Sequence, residues 1–212
     1  MPSKSALDSH LIDGPAGQLE ALLELPKNSA PAGMAVICHP HPVHGGTMQN
    51  KVVHTLSRAF ASQQFASLRF NFRGVGKSEG SFDNGKGEIQ DALATVDWLG
   101  EHIAIGPMWL AGFSFGGAIA IHAAVQSSAC GLVSVAPATS RFANDLSVQP
   151  ECPWLIVQGD QDELVDINET IDYVNSLEPG PQLSIFPQGE HFFHGRLIEL
   201  RDTVEDFIRS NL

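Results

Sequence analysis

Apolar and polar residues alternate in blocks along most of this chain. Six blocks of four to six residues are predominantly apolar, which is typical of strands buried in a parallel sheet. They are residues 34–38, 66–70, 108–113, 132–135, 154–157 and 183–186. Stretches with the spacing of amphipathic or buried helices lie at residues 50–64, 88–102, 115–126, 167–177 and 197–208. The pattern predicts strands and helices in alternation.

The amino-terminal part has a different pattern. Residues 10–12 and 18–25 flank the turn-forming run Gly14-Pro15-Ala16-Gly17, which predicts an antiparallel hairpin at the edge of the sheet. Together the two patterns predict an α/β fold with an open, mostly parallel sheet covered by helices on both faces. Because the chain has 212 residues and no linker-like break, we expect one domain over residues 1–212.

Composition narrows the classes of function. Twelve basic and 24 acidic residues give a net charge of −12, which opposes binding to nucleic acid and to anionic lipid surfaces. No apolar run approaches the roughly 20 residues of a membrane-spanning helix, and no apolar signal core follows Met1. We therefore expect a cytoplasmic protein without membrane insertion.

One segment carries a specific chemical signal. The predicted strand 108–113 runs into Gly112-Phe113-Ser114-Phe115-Gly116, and an alanine-rich helical pattern follows. Between a strand and a helix, G-x-S-x-G holds a serine in a strained backbone conformation with its hydroxyl clear of the sheet. Ligands of open parallel sheets bind beyond the carboxyl ends of the strands. Ser114 is thus the candidate nucleophile, and an ordinary helix N-cap is the alternative role.

A serine nucleophile needs a histidine base that is oriented by a carboxylate. The candidates follow two later predicted strands. Asp160 and Asp162 follow residues 154–157, and His191 and His194 follow residues 183–186. The residues alone leave both choices open.

From about Leu19 onward the sequence resembles the α/β-hydrolase superfamily, whose triad has the chain order serine, aspartate, histidine. Residues 159–165 resemble the acid loop of that superfamily, and residues 189–193 are similar to its terminal histidine turn. The resemblance implies that Asp162 and His191 are the partners of Ser114. Residues 70–80 also resemble a segment of the superfamily, which implies a structural role for Arg73.

Residues 38–46 occupy the position of the superfamily's oxyanion loop, in a form that is similar to small bacterial hydrolases without a lid. Pro40 has no N–H to donate. The resemblance therefore implies that the backbone N–H groups of His41 and Phe115 form the oxyanion hole.

Larger relatives insert a cap between the strands predicted here at 132–135 and 154–157, but this chain has only a short connection. We expect no cap domain and an open site. Aromatic residues near strand ends are candidates for its lining: Phe113, Phe115, Trp154, Phe192 and Phe193. Phe113 and Trp154 are equally expected in the core, so the substrate-binding prediction is Phe192 and Phe193.

These features predict a serine hydrolase that cleaves carboxylic esters or thioesters of a small-molecule acyl substrate through an acyl-enzyme, without cofactor or metal. One alternative is a metal-dependent hydrolase, because His39, His41 and His44 have the spacing of a metal-binding motif. Val43 stands where that motif has an aspartate. The other alternative, a non-catalytic scaffold, is disfavoured because all three triad positions are filled.

Overall fold

The computed structural model describes residues 6–26, 29–103, 106–142 and 149–212. Eight strands in these residues form one sheet with the spatial order β1-β2-β4-β3-β5-β6-β7-β8. The strands are β1 Ala6–Gly14, β2 Gly17–Leu25, β3 Gly33–Cys38, β4 Phe65–Phe70, β5 Met108–Phe113, β6 Gly131–Val135, β7 Trp154–Gly159 and β8 Gln182–Phe186.

The described residues also form six α-helices and one short 3₁₀ helix at Pro42–His44. The α-helices are α1 Lys51–Ser62, α2 Lys86–Ile103, α3 Phe115–Gln126, α4 Thr139–Phe142, α5 Ile167–Asn175 and α6 Leu197–Ser210. No helix in these ranges combines the length and the apolar character needed to cross a membrane. The pattern of apolar residues does not predict α4 or the 3₁₀ helix, because three or four residues are too few to show a period.

The sheet is antiparallel at one edge and parallel elsewhere. β1 pairs antiparallel with β2, and β2 pairs antiparallel with β4, with Ala21 opposite Phe70. The hairpin turns at Gly17, whose φ of 117° is rarely open to residues with a side chain. From β4 to β8 each neighbouring pair of strands is parallel. The predicted edge hairpin and mostly parallel sheet are confirmed.

Helices cover both faces of the sheet. Along β3, Val36 packs into a core beneath α2 and α3, whereas Ala35 and Ile37 pack into a second core beneath α1 and α6. Successive strand residues point to opposite faces, so a strand covered on both sides is mostly apolar. This is why the inner parallel strands appear in the sequence as predominantly apolar runs, with buried polar exceptions at Ser67, Arg69 and Ser134.

The connection between β6 and β7 is short. It spans 18 residues, 136–153, and α4 lies within it. A connection of this length is too short for a separate cap domain, as predicted.

Candidate active site

Ser114 lies between the end of β5 and the start of α3. Its φ of 57° and ψ of −119° form a strained combination that costs on the order of 1–3 kcal/mol. The glycines of the motif permit this turn. A Cβ atom at Gly112 would lie 2.1 Å from the carbonyl oxygen of Gly116, and one at Gly116 would lie 2.4 Å from the carbonyl oxygens of Cys38 and His39. The Ser114 side chain makes no capping hydrogen bond to α3, so the N-cap role is not the one the structure favours.

Three side chains from distant parts of the chain meet beyond the carboxyl ends of the strands. Oγ of Ser114 lies 3.0 Å from Nε2 of His191, and Nδ1 of His191 lies 2.7 Å from Oδ2 of Asp162. His191 is only 2% exposed, and the Asp162 side chain is fully buried. A carboxylate can only accept, so neutral His191 donates from Nδ1 to Asp162. Its Nε2 is then free to accept the hydroxyl proton of Ser114.

Four hydrogen bonds hold the Asp162 carboxylate. Oδ1 accepts from the backbone N–H groups of Leu164 and Val165, both at 2.8 Å, and Oδ2 accepts from Nε2 of Gln158 at 2.9 Å as well as from His191. Burial by itself raises the pKa of Asp162. The hydrogen bond and charge of His191, with the two backbone N–H groups, outweigh that effect and lower the pKa. The carboxylate is therefore ionised at neutral pH and fixed in orientation.

The two alternative side chains lie elsewhere. Asp160 is exposed, and its Oδ1 accepts from the backbone N–H of Gln188 at 2.5 Å. His194 is exposed, and its Nδ1 lies 2.8 Å from Oε1 of Glu190. The structure thus brings Asp162 and His191 to Ser114.

His39, in the loop after β3, is fully buried and has both ring nitrogens engaged. Nε2 accepts from the backbone N–H of Phe72 at 3.0 Å, and Nδ1 lies 2.6 Å from the carbonyl oxygen of Pro40. An amide N–H can only donate and a carbonyl can only accept, so the proton is on Nδ1 and the ring is neutral. Burial lowers the pKa of His39 to about 4 and outweighs the opposite effect of the bond to Pro40.

The hydrogen bond from His39 orients the peptide unit between Pro40 and His41. The C=O and N–H groups of a trans peptide point in opposite directions. Because Nδ1 of His39 holds the Pro40 carbonyl, the His41 N–H is directed away from His39. The carbonyl of His41 accepts from the N–H groups of His44 and Gly46. Phe115, as the first residue of α3, has no intrahelical acceptor for its own N–H.

The three histidines of the metal hypothesis do not form a ligand set. Both nitrogens of His39 are bonded within the protein. Nδ1 of His41 accepts from the Val43 N–H at 3.2 Å, and its ring packs 4.6 Å from that of His44. Within the described ranges, no group of three or more histidine, cysteine, aspartate or glutamate side chains is placed to hold a metal ion. The hydrogen bonds of His39 therefore count against the metal hypothesis.

A pocket of about 340 Å³ opens at Ser114 and His191, near the lower end of the range for small-molecule sites. Its walls come from the loop after β3, from α4 and from the loops after β7 and β8. They include His41, His44, Asn50, Phe115, Arg141, Phe142, Leu164, Val165 and Phe192. Two larger depressions, of about 670 and 620 Å³, lie around Cys152 and Pro153, which precede β7 and so lie at the opposite end of the strands.

The predicted aromatic lining is only partly correct. Phe192 lines the pocket and is 38% exposed. Phe193 is fully buried, and its ring centroid lies 5.4 Å from that of Phe186 in the core beneath α6. The prediction that Phe193 binds substrate is therefore wrong, because adjacent side chains in this turn point to opposite sides. Phe113 and Trp154 are also buried, in agreement with the core alternative.

Comparison with known proteins identifies the family. Residues 37–149 match the family described as serine aminopeptidase, S33. A crystal structure from Xanthomonas campestris, described as an α/β serine hydrolase without a lid, is 39% identical with a TM-score of 0.91 and covers 99% of this chain and 96% of its own. The chain belongs to the α/β-hydrolase superfamily.

Two further relatives agree with this assignment. An α/β serine hydrolase homologue from Coxiella burnetii is 44% identical to this hydrolase with a TM-score of 0.89, over 97% of this chain and 99% of the other. An uncharacterised protein from Rickettsia prowazekii is 34% identical over 93% of this chain and 87% of its own length. The predicted superfamily and fold class are confirmed.

Arg73 of this hydrolase is a structural residue. Its guanidinium donates from Nη2 to Oδ1 of Asp91 at 2.7 Å and from Nε to both carboxylate oxygens, and its backbone N–H donates to Oδ2. Asp91 is fully buried on α2. The pair joins the loop after β4 to α2, as the resemblance implies.

No sequence pattern indicates the contribution of α4 to the pocket. Arg141 and Phe142 line the pocket because the Ala138 N–H donates to the Ser114 carbonyl at 3.2 Å, which brings the start of α4 against the Ser114 turn. Asn50 also lines the pocket without having been predicted there, and its side-chain oxygen caps α1. Asparagine ahead of a helical pattern is an N-cap signal, but no local pattern indicates the position of Arg141.

Proposed function

We propose that this α/β hydrolase cleaves carboxylic esters or thioesters through an acyl-enzyme formed on Ser114. The observation that carries the proposal is the continuous hydrogen-bonded series from the Ser114 hydroxyl through His191 to the buried, ionised Asp162. In such an arrangement the imidazole takes the serine proton while the carboxylate stabilises the imidazolium that results. The strained backbone of Ser114 presents the hydroxyl at the pocket.

Acylation begins when Oγ of Ser114 attacks the acyl carbonyl carbon as its proton passes to Nε2 of His191. The carbonyl electron pair moves onto oxygen, and the backbone N–H groups of His41 and Phe115 stabilise the oxyanion. The tetrahedral intermediate then collapses, and the bond to the leaving group breaks. The departing alcohol or thiol takes the proton from Nε2 of His191.

Deacylation repeats the same proton transfers with water. Nε2 of His191 takes a proton from the water as its oxygen attacks the acyl carbon. Collapse of the second intermediate breaks the bond to Oγ of Ser114, which recovers its proton from His191. The products are a carboxylic acid and the alcohol or thiol, and the enzyme returns to its starting state.

The charge of the pocket favours esters and thioesters over peptides with a free amino terminus. An aminopeptidase has to hold the ammonium group of its substrate, and a carboxylate is the usual partner. In the part of the chain that the structure describes, no aspartate or glutamate side chain lines the pocket, whereas Arg141 does. The ammonium group would therefore meet a positive charge.

The size of the pocket favours short acyl chains. A volume of about 340 Å³ between Phe142, Phe192 and the β3 loop leaves room to bury only a short acyl chain. A methylene that stays in water adds none of the roughly 0.8 kcal/mol that burial supplies. We expect kcat/KM for p-nitrophenyl esters to stop rising beyond short chains, and a steady rise to palmitoyl esters would contradict this.

The test of the proposed function is active-site labelling together with turnover. A fluorophosphonate should label Ser114, identified by peptide mass spectrometry, and both labelling and hydrolysis of p-nitrophenyl esters should survive EDTA. Acyl thioesters and an aminoacyl p-nitroanilide complete the substrate panel. Hydrolysis that is lost with EDTA, returns with zinc and persists in Ser114→Ala would overturn the proposal.

A further inference from the structure

We propose that the substrate of this hydrolase carries a carboxylate group, which Arg141 binds at the mouth of the pocket with His44 and Asn50 as further donors. This inference rests on the proposed function, because it assigns the substrate class of the same site. The carboxylate belongs to the acyl chain or to the alcohol, and it is separate from the bond that is cleaved.

The pocket has the opposite charge character to the rest of the molecule. The whole chain has 24 acidic and 12 basic residues, yet the described lining of the pocket includes Arg141 and His44 and no acidic side chain. An anion is repelled by the protein at long range. A local cation is therefore needed for an anionic substrate to bind, and a neutral substrate would need none.

Arg141 also differs from most other arginines of this chain. Arg73, Arg196, Arg201 and Arg209 each lie within 4.0 Å of a carboxylate. Among the described residues, no carboxylate lies at that distance from Arg141. The Arg141 side chain lines the pocket, and a planar guanidinium is able to form two parallel hydrogen bonds to a carboxylate.

The position of Arg141 relative to Ser114 is fixed by the packing of α4. The Ala138 N–H donates to the Ser114 carbonyl, and the Phe142 ring packs edge-on against Phe115 with centroids 4.9 Å apart. The Phe142 carbonyl lies 2.5 Å from Nε2 of His122 on α3. These contacts place the backbone that carries the guanidinium at a set distance from the nucleophile, as selective recognition requires.

The side chains of His44 and Arg141 lie at the same wall of the pocket. The rings of His41 and His44 pack with their centroids 4.6 Å apart, and His44 and Arg141 both line the pocket. Both side chains therefore lie at the pocket wall beside the β3 loop. The Asn50 side-chain oxygen is committed to capping α1, so its amide nitrogen is the group it offers to a ligand.

The experiment compares esters that differ only in charge. Mono-p-nitrophenyl adipate and p-nitrophenyl 6-methylheptanoate are matched in shape and place the charge in the acyl chain. For charge in the alcohol, 3-carboxyphenyl acetate and 3-isopropylphenyl acetate form the second pair. We expect wild-type kcat/KM to favour the anion in one of the pairs by about tenfold or more, the usual size of a charged hydrogen bond.

Variants of Arg141 test the assignment. In Arg141→Met the preference for the anion should fall by about tenfold, in Arg141→Lys part of it should remain, and in Arg141→Glu it should reverse. His44→Gln should lower it by about threefold. Arg209→Met is the matched control, because it removes the same charge from an exposed position on α6 where Arg209 pairs with Asp206. The control should keep the wild-type preference.

The possible results distinguish the carboxylate proposal from the proposed esterase function. Labelling of Ser114 and hydrolysis of neutral esters without a preference for either anion would overturn the carboxylate proposal and leave the esterase proposal standing. A preference that Arg209→Met loses as fully as Arg141→Met would show a general charge effect and would overturn the role of Arg141. Absence of both labelling and hydrolysis would overturn the proposed function itself.

Discussion

The loop after β3 and the turn after β8 each carry a buried histidine close to Ser114, and the two rings have different partners. His39 bonds to a backbone N–H and a backbone carbonyl. His191 bonds to the Ser114 hydroxyl and the Asp162 carboxylate. Burial is similar in the two cases, at 0% and 2% exposure. The chemical difference therefore comes from the partners and not from burial.

Protonation shows why the partners matter. A proton added to Nε2 of His39 would face the N–H of Phe72, so two donors would be opposed and the cation would lose a bond. A proton added to Nε2 of His191 still has an acceptor in the serine oxygen, and Asp162 stabilises the charge. A buried histidine between backbone groups is thus locked in one state. A buried histidine between a hydroxyl and a carboxylate is able to exchange a proton.

The largest expected effect comes from removing the nucleophile. Ser114→Ala should lower kcat by on the order of 10⁴ or more, since the members of such an array act as a unit. For the same reason, adding His191→Ala to Ser114→Ala should cause little further loss. Ser176→Ala, on the exposed end of α5, is the control, and circular dichroism should show that all variants are folded. A Ser114→Ala enzyme that keeps more than a few per cent of wild-type kcat contradicts the assignment.

The second effect separates the two candidate aspartates. Asp162→Asn should lower kcat by on the order of 10³ to 10⁴, because an amide no longer holds the proton on Nδ1 of His191 or stabilises the imidazolium. Asp160→Asn is the matched control and should keep kcat within about threefold. Equal losses in the two variants would show that Asp162 has no special role.

The third effect concerns stability and pH. The pKa of His39 is lowered from 6.5 to about 4, so between these values the unfolded chain binds a proton that the folded protein does not. Stability is therefore lost as the pH falls from about 6.5 to about 4, by about 3 kcal/mol from this group alone. Urea unfolding at pH 7 and pH 4.5 should show a smaller pH-dependent loss in His39→Gln than in wild type. An equal loss of unfolding free energy in wild type and His39→Gln would show that His39 is not the cause of the pH dependence.

The fourth effect tests His39 as a positioning residue for the His41 N–H. The longer amide side chain introduced by His39→Gln is not a matched donor for the Pro40 carbonyl, whereas the shorter amide in His39→Asn is able to replace Nδ1. We expect kcat to fall by about tenfold in His39→Gln with KM little changed, because an oxyanion donor acts mainly in the transition state. His39→Asn should recover part of kcat. Identical kcat values in His39→Gln and His39→Asn would show that His39 has a structural role and does not position the His41 N–H.

The smallest effect is expected at His194, the exposed counterpart of His191. His194→Gln removes a hydrogen-bond contact with Glu190 that lies at the surface, and such exposed contacts contribute little. Both kcat and KM for p-nitrophenyl esters should stay within about twofold of wild type. A loss comparable to that of His191→Ala would show that the base has been misassigned.

The local sequence was sufficient to predict features that depend only on neighbouring residues. The turn at Ser114 follows from a strand, two glycines that other residues would replace only with a clash, and a helix, all within about ten residues. The inner parallel strands could be predicted because burial on both faces favours apolar residues at most positions. The order of the strand ends then limited the acid and the base to two candidates each, and the resemblance to α/β hydrolases distinguished between them.

Only the tertiary structure decided how residues far apart in the sequence meet. It placed Phe193 in the core and Phe192 in the pocket, although the two are adjacent and chemically identical. It gave His39 two backbone partners and brought Arg141 to the pocket through a hydrogen bond between Ala138 and Ser114. Sequence patterns encode the period and composition of single elements, whereas these contacts depend on the packing of several elements and on the bonds that buried polar groups must find.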